Sequence, residues 1–151
     1  NYAGPAAVVR QAAATPELTR RLTLDPADDI LTAFALVAAA ANAGDPTARN
    51  LIERSARYLG CAAVTMSTLF DVDAIVLAGP SFAAAGSIYQ AVIQEEVNRR
   101  TFARRAHPVR VMPSVNGSDA AAIGGAVLVL QSELTLSHTH PGNAARPEPE
   151  A

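Results

Sequence analysis

The chain has 151 residues, the length of one domain and enough to bury a core; half of it is apolar but only 5% aromatic, so Ala, Val, Leu and Ile must build that core. A net charge of −2 gives no global attraction to nucleic acid or to an anionic membrane. All twelve basic residues are Arg, which excludes lysine Schiff-base chemistry and a lysine-dependent phosphate loop, and the lone Cys61 excludes an internal disulfide and a Cys-rich metal site.

No secretory signal pattern opens the chain, and its longest charge-free apolar run, Ala33 to Ala41, is far too short to span a bilayer. The expected setting is the cytoplasm, with no membrane partner. The first residue is Asn1 rather than Met, as in a chain cut from something longer.

The first element expected is a short helix in "GPAAVVRQAAA", ending near Pro16. Three later helix starts share one signal, a capping residue followed by Pro at the first helical position: Thr15-Pro16, Asp25-Pro26 and Asp45-Pro46. The segment after Asp25-Pro26 is apolar and helical up to a stop at Gly44. The longest helix spans about Pro46 to Phe70, with apolar or small residues recurring at Ala48, Leu51, Ile52, Ser55, Leu59, Ala62, Ala63, Met66 and Phe70. Glu53 and Arg57 sit four apart on its outer face. Charges stop at Arg57 and return at Asp71, which predicts that the second half is buried all round, with Cys61 as a small core residue.

A strand at Ala74–Ala78 follows, and Asp71 and Asp73 bracket the turn before it. A helix over about Ala84–Phe102 turns Ile88, Tyr89, Val92, Ile93 and Val97 inward, leaving Glu95, Glu96, Arg99 and Arg100 outward. A second strand at Val109–Met112 and a last helix from about Ser118 to Glu133 complete the ordered part, and the polar, Pro-rich stretch 135–151 is expected to be disordered. This is an α/β order with a parallel crossover between two strands. Two strands do not make a self-sufficient parallel sheet, so the remainder must come from upstream sequence or another subunit.

The candidate ligand contacts lie at the strand ends, where open parallel sheets hold their ligands. Gly79 ends the first strand where a ligand can approach closely, the plain alternative being a turn glycine set by Pro80. Asn116 and Gly117 precede the last helix and form an anion or nucleotide contact in the same sense. Gly124 and Gly125 lie inside that helix, where each costs about 1 kcal/mol against Ala, so close packing or a bound group is expected there. Ser118 lacks a His and acid at a recognisable motif spacing, and no paired carboxylates have an acid–base role. The Arg99, Arg100, Arg104 and Arg105 cluster fits a helix C-terminus on dipole grounds. His138 and His140 read as solvated rather than as metal ligands, and His107 has no catalytic partner. No catalytic residue and no metal ligand is assigned.

Taken together, "AGDPTARNLIERSARYLGCAAVTMSTLFDVDAIVLAGPSF" and "VRVMPSVNGSDAAAIGGAVLVL" resemble the C-terminal half of the ROK family of bacterial repressors, open reading frames and sugar kinases. The landmarks are the "AGD" helix entry at Ala43–Asp45, the long helix leading to a strand, the strand-end glycine and "GSDAAAIGGA". "NYAGPAAVVRQA" resembles the segment that follows the family's zinc-binding cysteine motif. The resemblance implies that residues 1–134 are the later part of the second lobe of an actin-like, ribonuclease H-like fold. It also implies that the phosphate loop, catalytic aspartate, sugar contacts and zinc ligands lie upstream, so this chain alone has no cofactor and the full-length protein would hold ATP/Mg and structural zinc. Family kinases usually carry two glycines at the strand end, whereas this chain has Ala78-Gly79-Pro80.

Three functions are therefore expected, in order. The first is part of a transcriptional regulator that senses a sugar or sugar phosphate, binds DNA through an absent N-terminal domain and forms a homo-oligomer. The second is an ATP-dependent sugar kinase. The third is a stand-alone helical dimerisation module, since small residues on helix faces permit close approach.

Overall fold

The structure is a computed structural model that describes residues 2–25, 27–100 and 108–137. Elements follow in the order α1 (Pro5–Ala13), α2 (Pro16–Leu22), α3 (Ile30–Asn42), α4 (Pro46–Phe70), β1 (Ala74–Leu77), α5 (Pro80–Arg100), β2 (Arg110–Pro113), a 3-10 turn (Gly117–Asp119) and α6 (Ala120–Ser137). The fold is helix-rich α/β with one parallel strand pair, in register Ala74↔Arg110 to Leu77↔Pro113. Two compact units divide at Ala120: residues 1–120 and residues 121–151. Part of the expected disordered tail is helix, since α6 runs to Ser137, and the rest of 135–151 lies outside the described residues, as do Arg104, Arg105, His107, His138 and His140.

Of the three Pro-led helix starts, Asp45 caps as expected, its carboxylate accepting from the N–H groups of Thr47 and Ala48 at 2.9 Å. Asp25 does not cap a helix. Its side chain closes a local turn by accepting from Ala27 N–H at 2.8 Å, and Asp29 caps α3 instead, accepting from Leu31 and Thr32 N–H at 3.1 and 3.2 Å. Asp29 sits directly before the apolar run, so it reaches the first free N–H groups of that helix while Asp25 is four residues too early. Thr15 makes no side-chain cap for α2.

The core of the first unit is α4 packed on α5, with α3 and α1 alongside, and its largest buried side chains include Tyr89, Phe34, Leu18, Ile52 and Ile93. The buried Ser55 joins these layers: its Oγ accepts from the Gly4 N–H at 3.3 Å and lies 2.9 Å from the Tyr89 hydroxyl. Burial raises the Tyr89 pKa, and the Ser55 contact lowers it by less.

The second half of α4 is not buried all round. Its inward line runs through Ala56, Gly60, Ala63 and Ser67, while Met66 is 57% and Phe70 65% exposed. A two-stranded sheet covers only one side of a helix, so the charge-free second half keeps a bare apolar face. That face and β1 enclose a cavity of about 340 Å³ lined by Leu59, Met66, Val76 and Phe82 among others. Glu96, expected outward on α5, is buried. In the second unit, a Cβ at Gly124 or Gly125 would meet nothing within 4 Å, so the close packing expected there is not made within that unit.

Candidate functional site

The candidate site is built where the two parallel strands end. Backbone groups alternate along a strand, so Asp73 and Leu77 turn their carbonyls toward β2 and accept from Arg110 N–H at 3.0 Å and Ser114 N–H at 2.8 Å. Both chains then leave the sheet at the same end. After β1, Gly79 adopts φ 113°, a left-handed conformation in which a side chain would be strained. Its carbonyl accepts from Phe82 and Ala83 N–H at 3.1 and 3.2 Å and so begins α5. After β2, Ser114 accepts from Gly117 N–H at 3.3 Å, and Asn116 accepts from Asp119 N–H at 2.9 Å, which folds 114–119 into two tight turns.

The structure joins the residues singled out in the sequence. Gly79 N–H donates to the Gly117 carbonyl at 3.2 Å, tying the β1–α5 turn to the turn after β2. Gly117 has φ 49°, and a Cβ at Gly79 or Gly117 would meet no heavy atom within 4 Å, so the space over both backbones is open. Asn116 is exposed beside them.

The same bond limits what the turn can do chemically. Gly79 N–H is already used, and Pro80 has none, so the first two residues past Ala78 offer no backbone donor to a phosphate. Pro80 is nevertheless at home at the first position of α5, where an N–H would have no helical partner. α5 is broken at Ala85 (φ −132°, ψ 25°), which separates its first turn from the long helix that begins at Gly86. The sequence signal for the helix near Ala84 marks this second start.

One residue at this edge escaped the sequence reading. Val115 is 99% exposed at the tip of the turn after β2, next to Asn116. An isolated valine between Ser114 and Asn116 carries no periodic signal, and only its exposure beside the strand ends draws notice. Among the described residues, no group of three or more His, Cys, Asp or Glu side chains could hold a metal ion, and no helix is long and apolar enough to cross a membrane.

Comparison with curated proteins gives no match, and neither does comparison with solved structures. A family model does match, the ROK family, over residues 13–132. That span takes in every element from the end of α1 through most of α6, including both strand-end turns. With most of its length inside the match, the chain belongs to the ROK family.

Proposed function

We propose that this chain is the C-terminal portion of the sugar-sensing part of a ROK-type transcriptional regulator. The observation that carries this reading is the Gly79–Gly117 bond together with Pro80: a kinase needs donors around the nucleotide phosphates at this edge, and the two positions directly after Ala78 supply none. The residues fit contact with an adenosine, through the exposed Asn116 amide and the Val115 side chain, and do not fit a phosphate cradle. Gly79, Asn116 and Gly117 are thus the remnant of a nucleotide edge. The sugar or sugar phosphate, DNA and structural zinc would be held by upstream sequence of the full-length protein, which works as a cytoplasmic homo-oligomer.

An actin-like lobe accounts for the bare side of the sheet. The strands it requires would pair with β1 and cover the apolar face formed by Met66, Val76 and Phe82. Two measurements test the reading. In the full-length protein, calorimetry is expected to show no ATP binding at micromolar concentration, with sugar-dependent release of a DNA operator. Micromolar ATP binding with phosphate transfer to a sugar would make the protein a kinase and overturn the proposal.

A further inference from the structure

A second cavity, of about 310 Å³, opens between the middle of α4 and the C-terminal end of α5. Its lining holds four arginines, Arg54, Arg57, Arg99 and Arg100, with Tyr58, Cys61 and a single carboxylate, Glu96. Glu96 is only 6% exposed. Its Oε1 accepts a hydrogen bond from Arg99, and its Oε2 lies 2.9 Å from Arg100 Nε, an ion pair whose alignment falls short of a hydrogen bond. One carboxylate therefore draws two half-exposed guanidiniums toward the same cavity, which reduces the freedom a ligand must remove. Gly60 admits this arrangement, since a Cβ there would lie 2.9 Å from Glu96 Cβ and Cγ.

The charge does not balance. Arg57 has Glu53 at the rim at 3.3 Å, shared with Arg49 at 2.9 Å. Arg54 is hydrogen-bonded to a neutral group, the Gln11 side-chain carbonyl. Each guanidinium carries five N–H donors in a planar fork, far more than Glu96, Glu53 and Gln11 use. Four guanidiniums line the cavity against Glu96 within it and Glu53 and Glu95 beside it, which still leaves a net positive pocket at the lower end of the size range of small-ligand sites. Forked guanidiniums match phosphate oxygens in pairs.

We propose that this cavity binds a small phosphate-bearing anion, at a site separate from the strand-end turn and independent of the regulator reading. Roughly 30 Å of α5 lies between Pro80 and Arg99. A polyanion surface is the weaker reading: the site is concave, Glu53 pairs with Arg57 and Glu95 acts on Arg99, and its one aromatic ring, Tyr58, already packs on Tyr2 with ring centroids 5.8 Å apart.

The test is thermal unfolding of the chain titrated with inorganic pyrophosphate, with ionic strength held constant by sodium chloride. The midpoint is expected to rise saturably, with at least a tenfold weaker apparent Kd in Arg54→Gln and in Arg57→Gln. Both positions are exposed, so circular dichroism should show the fold retained. Asn116→Ala, at the other site, should leave the response unchanged. No rise beyond the chloride control, or an equal rise in both arginine variants, overturns the proposal. So does tighter binding of a short DNA duplex than of pyrophosphate, which would make the cluster a nucleic-acid surface.

Discussion

The two outer edges of the strand pair are finished differently. Along β2, the backbone groups that face away from β1 are met by side chains of α5: Gln94 Oε1 accepts from Val111 N–H at 2.8 Å, Gln94 Nε2 donates to the Val109 carbonyl at 2.9 Å, and Gln90 Nε2 donates to the Val111 carbonyl at 3.0 Å. Two glutamine amides stand where a neighbouring strand would be. Along β1, the alternation that points Asp73 and Leu77 toward β2 turns Ala74 and Val76 away from it, and Val76 is 58% exposed. An unpaired strand edge invites pairing and a sealed one refuses it. Among the described residues the edge of β1 is therefore open and that of β2 is sealed.

Removing the seal should have the largest effect. Gln94→Ala deletes two hydrogen bonds to β2, besides an exposed one to Asn98, and strands backbone groups of Val109 and Val111, both buried residues, so a loss of about 2–4 kcal/mol is expected in urea unfolding. A loss below about 1 kcal/mol would mean that water replaces the amide and the edge is not sealed. Gln90→Ala removes one bond and should cost about 1 kcal/mol. At the open edge, Val76→Thr should change stability by less than about 0.5 kcal/mol in this chain, because the side chain is already largely solvated. The same substitution in a protein whose upstream strands cover β1 should cost several times more. Amide exchange separates the edges directly: Val111 N–H should be protected and lose that protection in Gln94→Ala, while Val76 N–H exchanges fast in both.

This asymmetry was half legible in the sequence. A short apolar run between an acidic turn and a Gly-Pro break marked the first strand, and the shortage of strands was evident from counting them. What could not be read was which edge stays open, because Gln90 and Gln94 look like ordinary exposed polar positions on a helix; their role depends on β2 lying beside that face. The same limit explains Glu96 and the second half of α4. Burial of Glu96 depends on Gly60, thirty-six residues earlier in the chain, leaving room for its methylenes, a tertiary fact with no local signature. The run without charges after Arg57 was a sound sign of an apolar helix, but it encodes what the helix can bury rather than what this stretch of chain supplies to cover it. Position located Gly79 at the end of the first strand and Asn116 and Gly117 before the last helix, and both glycines do take positive φ; the bond between Gly79 and Gly117 needed the register of β1 against β2.

The smallest expected effect distinguishes the two polar arrangements on α5. The seal consists of neutral amides, so Gln94→Ala should lower stability by a similar amount at every pH from 3 to 7. Glu96 behaves otherwise. The hydrogen bond from Arg99 is the main cause that holds its carboxyl below the usual glutamate range; burial opposes it, and the charges of Arg99 and Arg100 add to the lowering. A carboxyl whose folded pKa lies below its unfolded one binds fewer protons in the native state, so its stabilisation is complete above the unfolded value, about 4.3, and is lost as pH falls through the folded value. Glu96→Gln should therefore flatten the acid limb of the stability profile below about pH 5 while Gln94→Ala only displaces it downward. Parallel acid limbs in wild type and Glu96→Gln would show that the pull of Arg99 and Arg100 on Glu96 does not outweigh the cost of its burial.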